Sequence, residues 1–484
     1  MRSPLLVLAA GALCTALAAC GSQLDPDTVA QVNGTTSGGI AGTADGATGT
    51  EGSTGGDLTG GTGAGTDSGT GGSSDSGSSG GSGGGRDGAQ GTGDNSATGG
   101  TKAGSCDGFK DQTGITDKTI TIANVSDISG PVPGIFESAQ QATRAYAAYF
   151  NSTDDICGRK LDVQLLDSRA DAGADQQAYT KACDEAFAAV GSMSAFDSGG
   201  ASAAQSCGLP DIRSTTVTPE RRDCSTCFAA QAVDPGLVPS AMPRYFLGKY
   251  KDATQHAALL YINAGASPVN SAAFRSAWDK AGWKVDYFQG IDVSEFNYSP
   301  YVQQMKDKGI KLVVYVGPYQ NTVKLLDAMK QQGFDPDVFL QDSTIYDQRF
   351  VDEAGANGDG VFAYSTTGMF DDFSIKEMQL YRSWLDQVKP GAVPNFYGLY
   401  AWSAARLFVE QSVALGGKLT RASLVDAMKS VKNWTGNGLH SPQQVGSKTT
   451  ANCQSVLQLD GGKWRRVSSG NYMCAPLIDS GTGS

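Results

Sequence analysis

From Thr119 onward, short apolar runs alternate with segments in which apolar residues recur every three or four positions. The run TITIANV predicts a buried strand. After it, apolar residues fall at steps of four, three, four and three, which puts them on one helix face. These residues are Ile135, Ala139, Ala142, Tyr146 and Tyr149. The alternation continues with a strand at 161–167, a helix at 171–190, short strands around 191–193 and at 211–216, and a helix at 238–249.

The alternation starts again near residue 257. Predicted strands lie at 257–263, 284–288, 311–317, 337–342 and 361–365, and predicted helices at 270–281, 301–308, 320–332, 375–388, 396–415 and 421–431. Asp460-Gly461-Gly462 then marks a hairpin turn. Strand–helix alternation implies right-handed parallel crossovers with both sheet faces covered. Two successive runs therefore predict an α/β protein with two doubly wound, open parallel-sheet lobes.

Open sheets of this kind bind ligands where the carboxyl ends of their strands meet. With two facing lobes, those ends line a cleft. The loop Gly130–Gly134, which joins the first strand to the first helix, forms one lip of that cleft. Its glycines allow close backbone approach and its prolines stiffen it, so it either holds part of a ligand or serves only as a tight connector.

The N-terminal quarter of the chain has a different composition. Residues 34–104 contain 28 glycines in 71 positions, with Ser, Thr, Asp and Ala making up most of the rest. Such a segment has too little apolar surface to offset its ordering entropy, which predicts a disordered tether. Before it, residues 1–19 read as a signal peptide, and Leu17-Ala18-Ala19-Cys20 reads as a bacterial lipobox. Cys20 is therefore predicted to carry palmitate-type acyl chains, with residues 20–105 forming a lipid-anchored linker.

The formal net charge is −12, of which about −6 belongs to the part after the tether. Nucleic-acid binding needs a basic face, so this balance argues against it. There is no Walker loop, HExxH or GxSxG motif, and the only histidines are His256 and His440. We therefore expect no enzyme activity, no cofactor and no metal site.

Ten cysteines are present, and eight remain after Cys14 and Cys20 are set aside. An even number in an exported chain predicts disulfides, and eight thiols allow about 105 pairings. Sequence neighbours suggest Cys106–Cys157, Cys183–Cys207, Cys224–Cys227 and Cys453–Cys474. The CSTC run at 224–227 also has redox-site spacing, but it lies in a polar segment and not at a predicted helix start, which favours a structural bridge.

Several quoted segments resemble one family. That family is the type I periplasmic substrate-binding proteins of the branched-chain amino-acid class. The segments that resemble it are SGPVPGIFESAQQATRAYAAYFN, GRKLDVQLLDSRADAGADQQAYTKACDEAF and AVGSMSAFDSGGASAAQSCGLPDI, and later DKGIKLVVYVGPYQNTVKLLDAMKQQGF and NFYGLYAWSAARLFVEQSVA. The resemblance implies a hinged two-lobe monomer that binds an amino acid or similar small solute. It also implies an ABC-transporter permease as partner. Together with the lipobox, it implies a lipid-anchored location on the extracytoplasmic face of the cell membrane. The lobes would comprise 115–250 plus 366–440 and 251–365 plus 441–478.

The resemblance also implies ligand contacts. They are Ile135 and Phe136, Phe196 and Asp197, Ser214, Thr215 and Thr216, and in the second lobe Tyr319 and Asp342, the last near an acid that receives an ammonium group in the family. Phe196 and Asp197 replace a small hydroxyl run, so ligands without an amino-acid backbone are possible. Two alternatives stay open: a sensor module of the same fold, and an exported thiol–disulfide protein that uses Cys224 and Cys227.

Overall fold

The computed structural model describes residues 97–482. The predicted signal peptide, Cys20 and most of the predicted tether lie outside the described residues. Residues 97–105, which the sequence assigned to the tether, pack on the folded part: the Tyr146 hydroxyl donates to the Ala97 carbonyl, and the Gly104 amide donates to the Val413 carbonyl at 2.9 Å. The folded part thus begins before Cys106.

The first sheet has five strands, all parallel, in the order β2-β1-β3-β4-β5. The strands are β1 (Thr119–Ser126), β2 (Lys160–Asp167), β3 (Ala188–Val190), β4 (Asp211–Thr216) and β5 (Cys227–Ala232). The helices between them are α1 (Glu137–Thr153), α2 (Ala172–Glu185), α3 (Ala201–Ser206) and α4 (Pro219–Asp223). Helix α1 buries Ala139, Ala142, Tyr146 and Tyr149, which confirms the predicted apolar face.

Two sequence predictions in this sheet were wrong. Helix α2 ends at Glu185, not at residue 190, because the apolar residues that follow it become the fully buried central strand β3. The residues at 191–193, predicted as that strand, lie just beyond it, where Met193 forms one bridge with Ser126. Strand β5 was missed, since its small residues show neither the period of a helix nor that of a half-buried strand.

The second sheet repeats this winding. Its parallel strands run in the order β8-β7-β9-β10-β11, which is the same 2-1-3-4-5 order, and antiparallel β12 and β13 extend it as the predicted hairpin. Their bounds are β7 (Ala257–Ile262), β8 (Val285–Ile291), β9 (Leu312–Val316), β10 (Val338–Gln341), β11 (Phe362–Ser365), β12 (Cys453–Asp460) and β13 (Lys463–Arg466), with β14 (Met473–Cys474) paired to β12. A separate antiparallel pair joins β6 (Leu237–Pro239) to β15 (Leu477–Asp479).

The seven helices predicted after residue 237 are present with bounds shifted by up to three residues, and two short helices, at Lys251–Thr254 and Gln348–Ala354, were not predicted. Together, in chain order, they are α5 (Ala241–Lys249), α6 (Lys251–Thr254), α7 (Ser267–Lys280), α8 (Ser299–Asp307), α9 (Tyr319–Gln331) and α10 (Gln348–Ala354), followed by α11 (Lys376–Val388), α12 (Phe396–Leu415) and α13 (Arg421–Lys429). Three single 3₁₀ turns lie at Ser343–Ile345, Gly355–Gly358 and Gly416–Lys418.

Helix α12 lies between β11 and β12 in sequence but packs on α1 and β4 of the first sheet. It begins after Asn395, whose side chain accepts from the Gly398 amide at 3.0 Å, and it is buried nearly all round. Its Trp402 ring meets Tyr146 edge-on at 4.8 Å, the kind of aromatic contact that adds about 1 kcal/mol beyond burial. The chain therefore returns to the first sheet before it completes the second.

The two segments that flank this excursion touch each other. Thr367 and His440 form an antiparallel bridge, and the Ser441 amide donates to the Thr366 carbonyl at 2.7 Å. Through these hydrogen bonds the two segments, both of which connect one sheet to the other, form one short antiparallel ribbon. A hinge between the sheets would lie at this ribbon. The lobe bounds at 250, 365 and 440 remain a prediction.

Four disulfides join the pairs that sequence neighbours suggested: Cys106–Cys157, Cys183–Cys207, Cys224–Cys227 and Cys453–Cys474. Within residues 97–482, no helix is both long enough and apolar enough to span a bilayer.

Candidate functional site

A cavity of about 350 Å³ lies where the carboxyl ends of the two parallel sheets meet. In each sheet the strand order reverses direction at one point, between β1 and β3 in the first and between β7 and β9 in the second. The loops that follow these four strands all contribute to the cavity wall, through Asp127, Ala195, Ala264 and Pro318 among others. This is the location that open α/β sheets favour for ligands.

The Gly130–Gly134 loop forms one lip of this cavity, as the sequence predicted. Pro131 and Val132 face the cavity, and Gly130 has a φ of 117°. A Cβ at Gly130 would lie 2.5 Å from the Arg169 carbonyl oxygen, so only glycine fits here. The loop therefore presents apolar side chains to the cavity.

Six of the nine predicted contacts line the cavity: Ile135, Phe136, Phe196, Thr215, Tyr319 and Asp342. The other three do not. Asp197 is fully buried, the Ser214 hydroxyl donates to the Tyr397 carbonyl at 2.9 Å, and the Thr216 hydroxyl accepts from the Val233 amide at 3.4 Å. On strand β4 only Thr215 faces the cavity, because neighbouring side chains on a strand point to opposite faces.

Backbone amides on the first-sheet side of the cavity already have acceptors within the protein. The Ala195 amide donates to Asp127 at 2.8 Å and the Val217 amide to Asp197 at 3.0 Å. The Phe196 amide donates to the Ser194 hydroxyl at 3.1 Å. These amides are therefore not free to hold a ligand carboxylate.

A buried ionic network lies behind this wall. Arg221 donates to the Asp197 carbonyl at 2.7 Å, to the Asp211 carboxylate at 2.8 Å and to Asp175 at 3.0 Å. Arg213 donates to the Thr215 carbonyl at 3.3 Å and lies 3.7 Å from the Asp197 carboxylate. All five charged side chains are fully buried, so each depends on the others for its partners.

Burial raises the pKa of Asp175 to about 6, although Arg221 and Arg213 oppose that rise. Burial also raises the pKa of Asp197. The burial of these charges costs solvation energy, and the network fixes the backbones of Asp197, Thr215 and Val217 behind the cavity wall.

The second-sheet side of the cavity carries Asp342 at the end of β10. Its carboxylate accepts from the Thr344 amide at 3.0 Å and from the Thr344 hydroxyl at 2.5 Å, and burial raises its pKa. No charged partner of Asp342 exists among the described residues. Tyr364 and Tyr397 also line the cavity, and burial, followed by the charge of Asp342, raises the pKa of both.

Tyr319 and Arg349 also lie on this side. The Tyr319 hydroxyl donates to Glu353 at 3.1 Å, and burial raises its pKa to about 12. The Arg349 guanidinium lies over the Tyr319 ring at 5.5 Å and is bound by both oxygens of Asp347, at 2.6 to 3.2 Å. Asp347 therefore already forms a salt bridge with Arg349 and neutralises its positive charge.

The cavity floor, which sequence reasoning missed, combines Gln231 near the end of β5 with Thr366 and Gln443 from the connecting segments. Gln231 donates to the Thr366 hydroxyl at 3.2 Å, and that hydroxyl pairs with the Tyr400 hydroxyl at 2.8 Å. Gln443 donates to the Ser441 carbonyl at 2.9 Å, but its fully buried carbonyl oxygen has no partner. These residues are far apart in sequence and follow no motif, so only the fold brings them together.

Cys224 and Cys227 do not form an accessible site. Both are buried, Cys224 directly after α4 and Cys227 as the first residue of β5, and the Arg221 guanidinium lies 3.8 Å from the Cys227 sulfur. Residues 97–482 also contain no group of three or more His, Cys, Asp or Glu side chains suited to a metal ion.

A family model described as periplasmic binding protein matches residues 119–463, more than half of the chain. No curated protein sequence matches.

Solved structures share the fold. LivJ of Streptococcus pneumoniae, a branched-chain amino-acid transporter substrate-binding protein in complex with isoleucine, has 15% identity and a TM-score of 0.62, covering 74% of this chain and 100% of that one. A fatty acid ABC-transporter substrate-binding protein from Thermomonospora curvata has 17% identity and a TM-score of 0.65, covering 76% and 96%. An ABC-transporter solute-binding protein from R. palustris, in complex with benzoate, has 14% identity and a TM-score of 0.63, covering 75% and 99%. At these identities the likeness establishes the fold alone.

Proposed function

This chain belongs to the periplasmic binding protein family, and on that premise we propose that it is the substrate-binding protein of an ABC transporter. Members of the family are non-enzymatic, extracytoplasmic proteins that bind small molecules. Those that serve ABC transporters deliver their ligands to permeases. The protein would capture one solute and present it, in a closed form, to the permease.

One observation carries the proposal: the cavity is lined by both sheets and by the segments that connect them. A solute there touches Phe196 and Thr215 on one side, Tyr319 and Asp342 on the other, and Thr366 on the floor. It can therefore favour the closed arrangement in proportion to its higher affinity for that state.

The solute we propose is an amino acid or another small molecule with one polar end and an apolar body. Most of the wall is apolar, with Val132, Phe136, Met193, Phe196 and Phe274 among its members. The three structural neighbours support this, since isoleucine, benzoate and a fatty acid each have an apolar part.

Anchoring is part of the same proposal. Residues 1–19 would be removed as a signal peptide. Cys20 would carry the acyl chains that hold the monomeric protein at the extracytoplasmic face of the cell membrane. Mass spectrometry of the mature N-terminus tests this. A diacylated or triacylated Cys20 supports it, and a mature chain that begins at any other residue refutes it.

Ligand screening by thermal shift and calorimetry tests the main proposal. We expect at least one member of a panel of amino acids, amines, aromatic acids, amides and polyols to raise the unfolding midpoint and bind at micromolar concentration. Small-angle scattering should then show a smaller radius of gyration with that ligand. A deletion strain should lose uptake of it; binding without an uptake defect would instead support the sensor alternative. If no compound stabilises the protein, the proposal fails.

A further inference from the structure

Two hydrogen bonds join the second-sheet side of the cavity directly to the first-sheet side. The Ala266 amide, at the start of α7, donates to the Ala195 carbonyl at 3.1 Å. One turn further along α7, the side-chain amide of Asn270 donates to the Val217 carbonyl at 3.3 Å, while its own side-chain oxygen has no partner among the described residues. Both bonds are made between protein atoms, so they favour the closed arrangement whether or not a solute is bound.

Gly265, the residue before Ala266, allows this close approach. Its φ of 54° lies in the left-handed region, and a Cβ there would lie 2.5 Å from the Ala195 carbonyl oxygen and 3.1 Å from the Ala195 Cβ. Because ordinary contacts of this kind begin at 3.4 Å, a side chain at residue 265 would push the two sides about 1 Å apart. The contact between the two backbones therefore needs glycine.

The residues that accept these hydrogen bonds are already held in place. The amides of Ala195 and Val217 donate to Asp127 and Asp197, as described above. Asp127 in turn accepts from the Ser168 hydroxyl at 2.5 Å. The two acceptors therefore need no further ordering when the sides meet, which lowers the entropy cost of closing the cavity.

The contact lies well away from the connecting segments. Gly265 follows β7, which is three strands from β11, and β11 leads into the connecting segment at Thr366. At about 4.8 Å per strand, this separation is about 14 Å. A rotation of about 4° around an axis through these segments would therefore move Gly265 about 1 Å away from Ala195, which breaks the hydrogen bond of Ala266. The contact thus forms at the end of the closing motion.

We propose that Gly265, Ala266 and Asn270 form a latch, which closes on the carbonyls of Ala195 and Val217 and holds the two sides together before a solute binds. This inference concerns the regulation of the cavity and rests on the solute-binding function proposed above. The apparent affinity for a solute scales with the fraction of molecules that are already competent to bind it, so the latch raises that affinity. Gly265 does not line the cavity, and it therefore controls affinity without touching the solute.

Amide hydrogen exchange tests the latch in the absence of any ligand. Exchange at the Ala266 amide is followed by mass spectrometry of the full-length protein. We expect it to be about tenfold or more slower in the wild type than in Gly265→Ala, because the added methyl group separates the two sides and exposes this amide to water.

Gly333→Ala is the matched control. Gly333 has a similar φ of 59°, but no heavy atom beyond its chain neighbours lies within 4 Å of a Cβ at that position. Both variants place a side chain at a positive φ, whereas we expect Gly265→Ala alone to speed exchange at Ala266. Asn270→Ala is a second variant of the latch, with a good helix former in α7. It removes one of the two hydrogen bonds, and exchange at Ala266 should be about threefold faster than in the wild type.

Solute affinity gives a second measurement once the screen described above has identified a ligand. We expect Gly265→Ala to bind that ligand about fivefold more weakly than the wild type, because fewer molecules are closed before binding. Gly333→Ala should bind it with the affinity of the wild type.

The outcomes distinguish the latch from the solute-binding function. If the Ala266 amide of the wild type exchanges as fast as that of an unstructured peptide, or if neither Gly265→Ala nor Asn270→Ala speeds its exchange, the latch is refuted and the solute-binding function still stands. Unchanged ligand affinity in Gly265→Ala also refutes the latch. A protected Ala266 amide in a protein that binds no compound of the screen leaves the latch supported while the solute-binding function fails.

Discussion

The two sides of the cavity are built differently although their sheets have the same strand order. On the first-sheet side, buried Asp127 and Asp197 occupy the wall amides, and Arg213 and Arg221 hold that wall from behind. On the second-sheet side, Asp342 contacts only its neighbour Thr344 and otherwise faces the cavity. The first side is a fixed wall, whereas the second offers polar groups that a ligand can engage.

The largest expected effect comes from removing the guanidinium behind the fixed wall. Arg221→Met leaves Asp175 and Asp211 buried without their shared partner, which should lower the free energy of unfolding by about 3–5 kcal/mol. Urea denaturation followed by circular dichroism measures this. Arg465→Met, which breaks an exposed pair with Asp460, is the control and should stay within about 0.5 kcal/mol. A small loss in Arg221→Met would mean that the network does not support the wall.

The pH dependence of stability tests the same network. Because burial raises the pKa of Asp175 to about 6, the folded state binds this proton more tightly than the unfolded state does. This tighter proton binding by Asp175 adds up to about 3 kcal/mol to the free energy of unfolding. The contribution is complete below about pH 4 and is lost as the pH rises to about 7. Burial lowers the pKa of His440 to about 4, so His440 makes the protein more stable as the pH rises, which is the opposite trend. The wild type is therefore compared with Asp175→Asn, in which the effect of His440 is the same.

The stability of Asp175→Asn relative to the wild type should therefore rise between pH 4 and pH 7, as measured by urea denaturation at each pH. A constant difference between the two proteins would show that Asp175 has an ordinary pKa.

Shortening an aromatic side chain on the fixed wall should affect binding moderately. Phe196 lines the cavity and is not part of the ionic network, so Phe196→Ala removes apolar contact with the ligand and should weaken binding by about 1–2 kcal/mol. Calorimetry with whichever ligand the screen identifies measures this. Phe373→Ala, at an exposed phenylalanine outside the cavity, should leave the affinity unchanged.

The smallest effect is expected from removing the Tyr319 hydroxyl, on the second-sheet side of the cavity. Tyr319→Phe keeps the ring against the cavity and removes only the hydroxyl that donates to Glu353. That bond is partly exposed, so both affinity and stability should change by about 0.5 kcal/mol or less. A larger loss of affinity would show that the Tyr319 hydroxyl turns to the ligand on closure.

Much of this architecture is predictable from sequence. Alternating periods located most strands and helices, and the apolar spacing of Ala139, Ala142 and Tyr146 gave the buried face of α1. Strands β3 and β5 could not be predicted in this way. Both consist largely of small apolar residues, and only their places in the sheet make them strands.

The candidate site was predictable only in part. The family resemblance placed Phe196 and Asp342 among the ligand contacts, and both line the cavity. Whether a strand-end side chain faces the cavity or the interior depends on register, which is why Thr215 lines it and Ser214 and Thr216 do not. Gln443 and Asn270 could not be identified, because a buried acceptor is recognised only by the absence of a donor in three dimensions.

The packing of residues 97–105 determines how the protein would respond to tension applied from its N-terminal end. A pull on Ala97 would first separate this segment from Tyr146 and Val413, breaking single hydrogen bonds one after another. The load would then reach Cys106, whose disulfide to Cys157 passes it to the loop between α1 and β2. A covalent bond, and not the packing of the core, would stop the peeling at that point.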